Sequence, residues 1–373
     1  MKIGFDAKRA FNNHRGLGNY SRETLRILTT LAPDHQYHLF TPEIDPSIGF
    51  HCPDNAVVHQ PSDRLGRLSP SMWRTFSISK EVEQLGLDLY HGLSHELPYG
   101  IEKTKTRTVV TMHDLLFLKK PELYPFVDRL MYRTKYLHSC QVAHRVIAVS
   151  ERTKQDLLEL TSVPESKVDV VYQGCRPEFK TLVGETQKKD VKQRYELPDS
   201  YLLNVGAIEP RKNQMLLLKA LIAGPIDMPL VIAGQRGNSL QELRSFIVQQ
   251  KLQHQVKVLP DFPYEDLPAL YQCATLFVFP SIYEGFGIPI VEAMTSGLPV
   301  IAATGSCLEE AGGSHSRYVD PTDATAWAEA INEILNDESK RGTMIVKGLE
   351  HVQRFSDPAI ADQLLRIYNH LLI

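Results

Sequence analysis

Short apolar runs alternate with helical patterns along this chain, and they do so twice over. In the first half the runs KIGFDA, QYHLF, AVVHQ, LDLYHG, RTVVTMHD and RVIAVS are mostly β-branched and bounded by Gly, Pro, Asp or Ser, which predicts strands. In the second half YLLNVGA, LVIAGQ, VKVLPDF, LFVFPS and PVIAA read the same way, with KVDVVY placed to close the first set. Helical spacing predicts helices over Gly18–Leu31, Asp128–Ala143, Glu151–Leu160, Gln214–Ala223 and Asp266–Ala274. Strand–helix alternation requires parallel sheets covered on both faces, so the fold class is α/β with two doubly wound Rossmann-like domains. The polar, lysine-rich stretch 174–200 is the expected seam. It leaves a first domain over 1–180 and a second over 198–355, followed by an amphipathic terminal helix over about 356–373. In doubly wound sheets ligands bind beyond the carboxyl ends of the strands, and a cleft between two such domains is the expected location.

Composition changes this picture little. With 373 residues, 43% hydrophobic and 23% charged, the chain can bury two cores. A net charge of −3 argues against a general nucleic-acid binder. Residues 1–180 carry 24 Lys+Arg against 21 Asp+Glu, a slight bias toward anionic surfaces. Five scattered cysteines (Cys52, Cys140, Cys175, Cys273, Cys307) form no C-x-x-C and read as reduced thiols. The N-terminus reads as a strand rather than a signal peptide, and no run of 18 apolar residues occurs, so a cytoplasmic protein is expected.

The residues just after strands carry the candidate chemistry. The stretch SIYEGFGIPIVEAM places Glu284 after a strand, Gly285 and Gly287 in the turn, and Glu292 on the helix that Pro289 opens. Glycine amides and a helix start suit phosphate oxygens, and carboxylates accept hydrogen bonds from sugar hydroxyls. A plainer account stays open, with Glu284 as a solvated loop charge and Glu292 as a partner of the helix dipole. In VGAIEPRKN, Arg211 and Lys212 follow the strand ending near Gly206, as a diphosphate site requires, though a solvated basic pair fits too. The segment FDAKRAFNNHRGLGNYSRETL puts Gly16 and Gly18 before a helix, where amides could cradle phosphate or the chain could simply turn. His113 and Asp114 end a strand of the first half, and such a pair is structural more often than catalytic. D-x-D, H-E-x-x-H, P-loop and G-x-S-x-G patterns are missing, so metal-free chemistry is expected.

Taken together, these residues resemble glycosyltransferase family 4, the retaining transferases with two Rossmann domains facing across a cleft (GT-B). The specific carriers are the E-x7-E run EGFGIPIVE and GAIEPRKN; VIAVSERTKQDL, YQGCRPEF, DLPALYQCATLFVFPS and GLGNYSRETL lend support. The resemblance implies that a nucleoside-diphosphate sugar sits mainly on the second domain. Arg211 and Lys212 would neutralise the diphosphate in place of a metal. Glu284 and the amides of Gly285, Phe286 and Gly287 would hold the transferred hexose, and Glu292 the ribose. His113 would reach the sugar from the first domain, Gly16 and Gly18 would line the phosphate or acceptor side, and the terminal helix would cross back onto that domain. Two departures stand out. GSCLEEAGG replaces the family's S-x-L-P-E-V, which leaves the role of Glu309 open, and Asp357 occupies a position where the family commonly has Trp.

The opening segment is most similar to bacterial mannosyltransferases of surface-polysaccharide synthesis, which implies GDP-mannose as donor and a saccharide or lipid-linked saccharide as acceptor. UDP-hexose or UDP-N-acetylhexosamine donors, a GT-B sugar-nucleotide epimerase and a silent sugar-nucleotide binder stay open. The segment 127–145 carries Arg129, Arg133, Lys135, His138, His144 and Arg145 among apolar residues. It is a candidate for peripheral contact with the inner face of a membrane, or a domain helix with a solvated basic face.

Overall fold

The computed structural model describes residues 1–62 and 69–373. The chain forms two compact units, Met1–Gly174 together with Phe355–Ile373, and Cys175–Arg354.

The first unit holds a seven-stranded sheet: β1 (Lys2–Asp6), β2 (Gln36–Phe40), β3 (Ala56–His59), β4 (Leu89–Gly92), β5 (Arg107–Met112), β6 (Arg145–Ala148) and β7 (Val168–Val170), in the order β3-β2-β1-β4-β5-β6-β7. Every pairing is parallel. Side-chain alternation sends successive residues of each strand into opposite layers. Ile3, Phe5, Tyr37, Leu39, Leu89 and Ile147 enter one core; Phe40, Tyr90, Val110, Val146 and Ala148 enter the other. The helix Gly16–Leu31 and the terminal helix Asp357–Leu372 cover the first of these. The terminal helix buries Ile360, Ala361, Leu364, Ile367 and Tyr368, a stripe at helical spacing. Its Tyr368 hydroxyl lies 2.6 Å from His91 Nδ1 on β4.

The second unit holds β8 (Leu202–Val205), β9 (Leu230–Gly234), β10 (Val256–Pro260), β11 (Leu276–Phe279), β12 (Val300–Ala303) and β13 (Arg317–Val319), in the order β10-β9-β8-β11-β12-β13. All of these pairings are parallel too. β8, β11 and β12 are buried along their whole length, as strands covered on both faces must be. The order reverses between β8 and β11, so the loops leaving these two strands diverge at the switch point of the sheet.

Some boundaries differ from the sequence expectation. The seam lies at Gly174–Cys175, so residues 175–180 leave the first unit and 181–197 join the second. Two apolar anchors hold this polar stretch down: Phe179, packed edge-on to Tyr271, and Val191 on the helix Glu185–Arg194. The helices expected over Gly18–Leu31, Asp128–Ala143 and Asp266–Ala274 run over Gly16–Leu31, Phe126–Val142 and Leu267–Gln272. β13 was not foreseen: it is a three-residue edge strand burying Val319 alone.

Candidate functional site

The switch point of the second sheet brings Glu284, Arg211 and Lys212 together. β8 is followed by Gly206 and the single turn Pro210–Lys212, and then by the helix Gln214–Ala223. Asn213 sits between turn and helix in the left-handed region, and its side-chain amide donates to the carbonyls of Pro280 and Pro321. The loop after β8 is thereby tied to the loop after β11. Ile282 N also donates to Arg211 O at 2.9 Å.

On this frame Glu284 is held by both oxygens. Lys212 Nζ lies 2.5 Å from Oε1 and Arg211 Nη1 2.8 Å from Oε2, while Ser281 Oγ donates to Oε1 at 2.5 Å. Arg211 also donates to the Tyr283 carbonyl, and Lys212 lies 5.2 Å from the centre of the Phe279 ring. The Glu284 side chain is 12% exposed. Burial opposes its ionisation, but Lys212, Arg211 and the hydrogen bonds from Lys212 and Ser281 prevail and set its pKa at about 2. The Lys212 ammonium is pushed down by burial; Glu284 opposes this and neighbouring Arg211 adds to it. Glu284 is thus an ionised acceptor throughout the physiological range, not the solvated loop charge of the plainer account.

Gly285, Phe286 and Gly287 lead into the helix Ile288–Thr295. Gly287 takes a φ of +116°, and a Cβ there would lie 3.0 Å from a Leu308 methyl, so glycine fits for two reasons. The thiol of Cys307 donates to the Glu284 and Phe286 carbonyls at 3.1 Å each, and Glu284 N donates to Ser306 Oγ. Cys307 read as one buried thiol among five; its place just after β12 was the signal for this role. Glu309 is exposed in the short helix Leu308–Gly312.

Glu292 occupies a separate pocket. It is 4% exposed, and Tyr264 and Tyr271 each donate to one of its oxygens at 3.0 Å. Burial pushes its pKa up to about 7 against the pull of those two bonds and of Arg176. Tyr264 and Tyr271 lie 28 and 21 residues upstream, and although Tyr271 falls within DLPALYQCATLFVFPS, no local spacing marks either as a partner of Glu292.

In the first unit His113 follows β5 and is buried. Its Nε2 donates to the Leu93 carbonyl at 2.9 Å, Gln173 Nε2 lies 3.5 Å from Nδ1, and Tyr20 packs edge-on at 4.4 Å. Burial lowers its pKa to about 4, so the ring is neutral at physiological pH. Asp114 instead accepts from Leu116 N, opening the next helical turn. Gly16 and Gly18 separate: a Cβ on Gly16 would meet nothing within 4 Å, whereas one on Gly18 would lie 1.8 Å from the Asn13 carbonyl oxygen. Asp357 accepts from Arg26 Nη2 at 2.7 Å and pins the terminal helix to Gly16–Leu31 by an ion pair.

Two family models match the chain, Glycosyltransferase Family 4 over residues 15–179 and Glycosyl transferases group 1 over residues 185–351. The O-antigen chain mannosyltransferase B of Escherichia coli is 32% identical over 289 residues, 76% of this chain and 74% of that protein. This chain belongs to glycosyltransferase family 4. The O-antigen chain mannosyltransferase RfbU of Salmonella typhimurium is 28% identical over 73% of each chain. As a family 4 glycosyltransferase the chain has the GT-B fold of its structural neighbours. Among them are HepE of Anabaena, solved with UDP and glucose (TM-score 0.77, 20% identity, 99% of this chain and 100% of that one), and sucrose-phosphate synthase of Thermosynechococcus elongatus (TM-score 0.80, 22% identity, 100% and 99%).

Proposed function

We propose that this glycosyltransferase moves mannose from GDP-mannose to a saccharide or lipid-linked saccharide acceptor, with retention of anomeric configuration and without a metal. The observation that carries the reading is the Glu284–Arg211–Lys212 cluster at the switch point of the second sheet. The choice of mannose is supported by the names of the relatives, which are O-antigen mannosyltransferases.

In this reading Arg211 and Lys212 neutralise the charge that gathers on the departing diphosphate, the part a metal would otherwise take. Arg can engage its oxygens bidentately, and Lys adds a compact charge from beneath the loop. Glu284 accepts hydrogen bonds from the hydroxyls of the transferred hexose, beside the backbone of Gly285, Phe286 and Gly287. A carboxyl with a pKa of about 2 is a poor proton donor, so Glu284 orients the sugar rather than acting as a general acid. The same property argues against the epimerase alternative, which needs a proton donor and acceptor astride C2. With no protein base assigned, the leaving phosphate takes the acceptor proton on the face it departs from. Glu292 receives the ribose hydroxyls. His113 contributes a neutral imidazole, and Gly16 and Gly18 belong to the phosphate or acceptor side.

The test is thermal stabilisation by GDP-, UDP- and ADP-sugars in EDTA, followed by NMR of the anomeric product. Stabilisation by GDP-mannose, absent in Arg211→Ala, with an α-linked product from the α-linked donor, is the expected result. Preference for a UDP-hexose or UDP-N-acetylhexosamine replaces the donor; dependence on a divalent ion or an inverted product removes the mechanism.

Membrane contact is the second part of the proposal. No described helix is long and apolar enough to cross a membrane. Most of the 127–145 segment is committed to the first unit. Tyr136 stacks on His95, Lys135 pairs with Glu96, and Arg145 pairs with Asp169. The first turns of the helix Phe126–Val142 differ. Phe126 (68%), Val127 (73%), Leu130 and Met131 are exposed, with the Arg129 guanidinium 5.5 Å from the Phe126 ring. Apolar side chains flanked by cations suit an anionic bilayer surface. Flotation with phosphatidylglycerol vesicles, lost in Leu130→Glu/Met131→Glu, is expected; equal flotation of the variant removes this contact.

A further inference from the structure

We propose that Tyr264 and Tyr271 are positioning residues for the donor, holding the Glu292 carboxylate in the orientation that receives the vicinal diol of a ribose. The inference rests on the reading of Glu292 as the ribose acceptor and adds residues that neither the sequence pattern nor the family comparison assigns.

The geometry is specific. An ionised carboxylate offers about four acceptor positions, two per oxygen. Tyr264 takes one on Oε1 and Tyr271 one on Oε2, which fixes the plane of the group and leaves one position on each oxygen. A vicinal diol supplies two O–H donors, the complement of what remains.

Both hydroxyls are themselves held. Tyr271 is fully buried on the helix Leu267–Gln272, with its ring edge-on to Phe179 and 5.4 Å from Phe277. Tyr264 is half-buried in the turn Tyr264–Asp266, between the Arg176 guanidinium at 4.1 Å and the edge of Phe179. The segment Cys175–Phe179 therefore braces both tyrosines, and the Cys175 thiol reaches Thr295 Oγ1 on the helix that carries Glu292. Around Glu292 the titratable or charged groups are Tyr264, Tyr271 and Arg176, with the Cys175 thiol beside Tyr271. Among the described residues no lysine or arginine nitrogen lies within 4.0 Å of its oxygens, so hydroxyls rather than cations define the pocket.

The arrangement couples donor binding to a proton. A diol donates to the carboxylate, so affinity falls as Glu292 protonates below about pH 7. Removing one tyrosine hydroxyl removes a donor to the charged form, and the midpoint moves to higher pH. A role confined to packing would not move it, because the phenyl ring stays.

The experiment is isothermal titration of the full chain with GDP-mannose and with UDP-glucose from pH 5.5 to pH 8.5. Their diphosphates are esterified at both ends and lack the secondary phosphate ionisation near about pH 6. Wild type should bind with constant affinity above the midpoint and lose roughly tenfold per pH unit below it. Tyr264→Phe and Tyr271→Phe, each checked for wild-type circular dichroism, should bind several-fold more weakly at pH 7 and regain most of that at pH 8.5. Glu292→Gln should bind with no pH dependence over this range. Variants that keep the wild-type midpoint, or weaken equally at every pH, overturn the positioning role and leave the donor reading standing. Failure of wild type to bind either nucleotide sugar at any pH overturns both.

Discussion

Two carboxylates eight positions apart in the interior of the second unit have opposite surroundings. Glu284 is met by an ammonium, a guanidinium and a hydroxyl, and its pKa falls to about 2. Glu292 is met by two phenolic hydroxyls, with a guanidinium as a more distant influence, and its pKa rises to about 7. Both are deeply buried, and burial alone would raise each. The kind of partner decides the outcome. Full charges offset desolvation in the first pocket, and neutral hydroxyls do so incompletely in the second. One motif thus presents a permanently ionised group and a group poised near neutrality, fit for different tasks: orienting a hexose beside a diphosphate, and binding a diol with a pH-dependent grip.

The largest effects should follow from breaking the first pocket. Lys212→Ala removes a cation from the proposed leaving-group site and leaves Glu284 one partner short. Loss of a preorganised electrostatic contact of this kind costs on the order of 10²–10³-fold in turnover. Glu284→Gln should fall in the same range. Turnover within threefold of wild type in both, measured in single-turnover mannose transfer, would remove the cluster from the chemistry.

The same pockets should give stability curves of opposite slope. The folded pKa of Glu284 lies below its ordinary value of 4.5, so its ionisation stabilises the fold above about pH 4.5, and that contribution is lost as pH falls toward about 2. The shift corresponds to about 3 kcal/mol. Urea denaturation should show Glu284→Gln less stable than wild type by about that amount at pH 7, with the difference shrinking by pH 3. Glu292 runs the other way. Its folded pKa lies above 4.5, so the folded state holds the proton more tightly. The stabilisation is present below about pH 4.5 and lost as pH rises through about 7. Glu292→Gln should therefore gain stability relative to wild type between pH 5 and pH 8, by up to about 3 kcal/mol. Parallel pH curves for the two variants would break the comparison.

Much of this was legible in the sequence, for a definable reason. Strands buried along their whole length, such as β11 and β12, read as unbroken apolar runs, and less buried ones such as β3 and β7 still show β-branched residues between turn formers, whereas β13 is three residues long and opens on Arg317. Glu284, Arg211 and Lys212 stood out by position after a strand, and Glu292 by its spacing from Glu284 on the helix that follows. Their pairing did not, because it depends on β8 lying beside β11, and strand order is not written in local periodicity. The partners of Glu292 were invisible for the same reason. The polar stretch 175–197 looked like a linker by composition, yet Phe179 packs edge-on to Tyr264 and Tyr271, and Val191 is buried on the helix Glu185–Arg194.

A third carboxylate calibrates the other two. Asp357 pairs with Arg26 at 2.7 Å, but the side chains are 22% and 33% exposed, and Arg26 keeps Glu23 at 2.8 Å as a second partner. Both groups keep part of their contact with water, and solvent weakens the attraction more than in the two buried pockets. Asp357 also sits in the first turn of its helix, where a negative charge is favourable by a few tenths of a kcal/mol to about 1. Asp357→Asn should therefore lower stability by about 1 kcal/mol or less, and by less still in about 0.5 M salt. The terminal helix would stay docked through Ile360, Leu364 and Tyr368. A loss as large as that of Glu284→Gln, or one indifferent to salt, would mean that exposure does not separate these carboxylates. The contrast between the two buried pockets would then need a cause other than the partners that burial enforces.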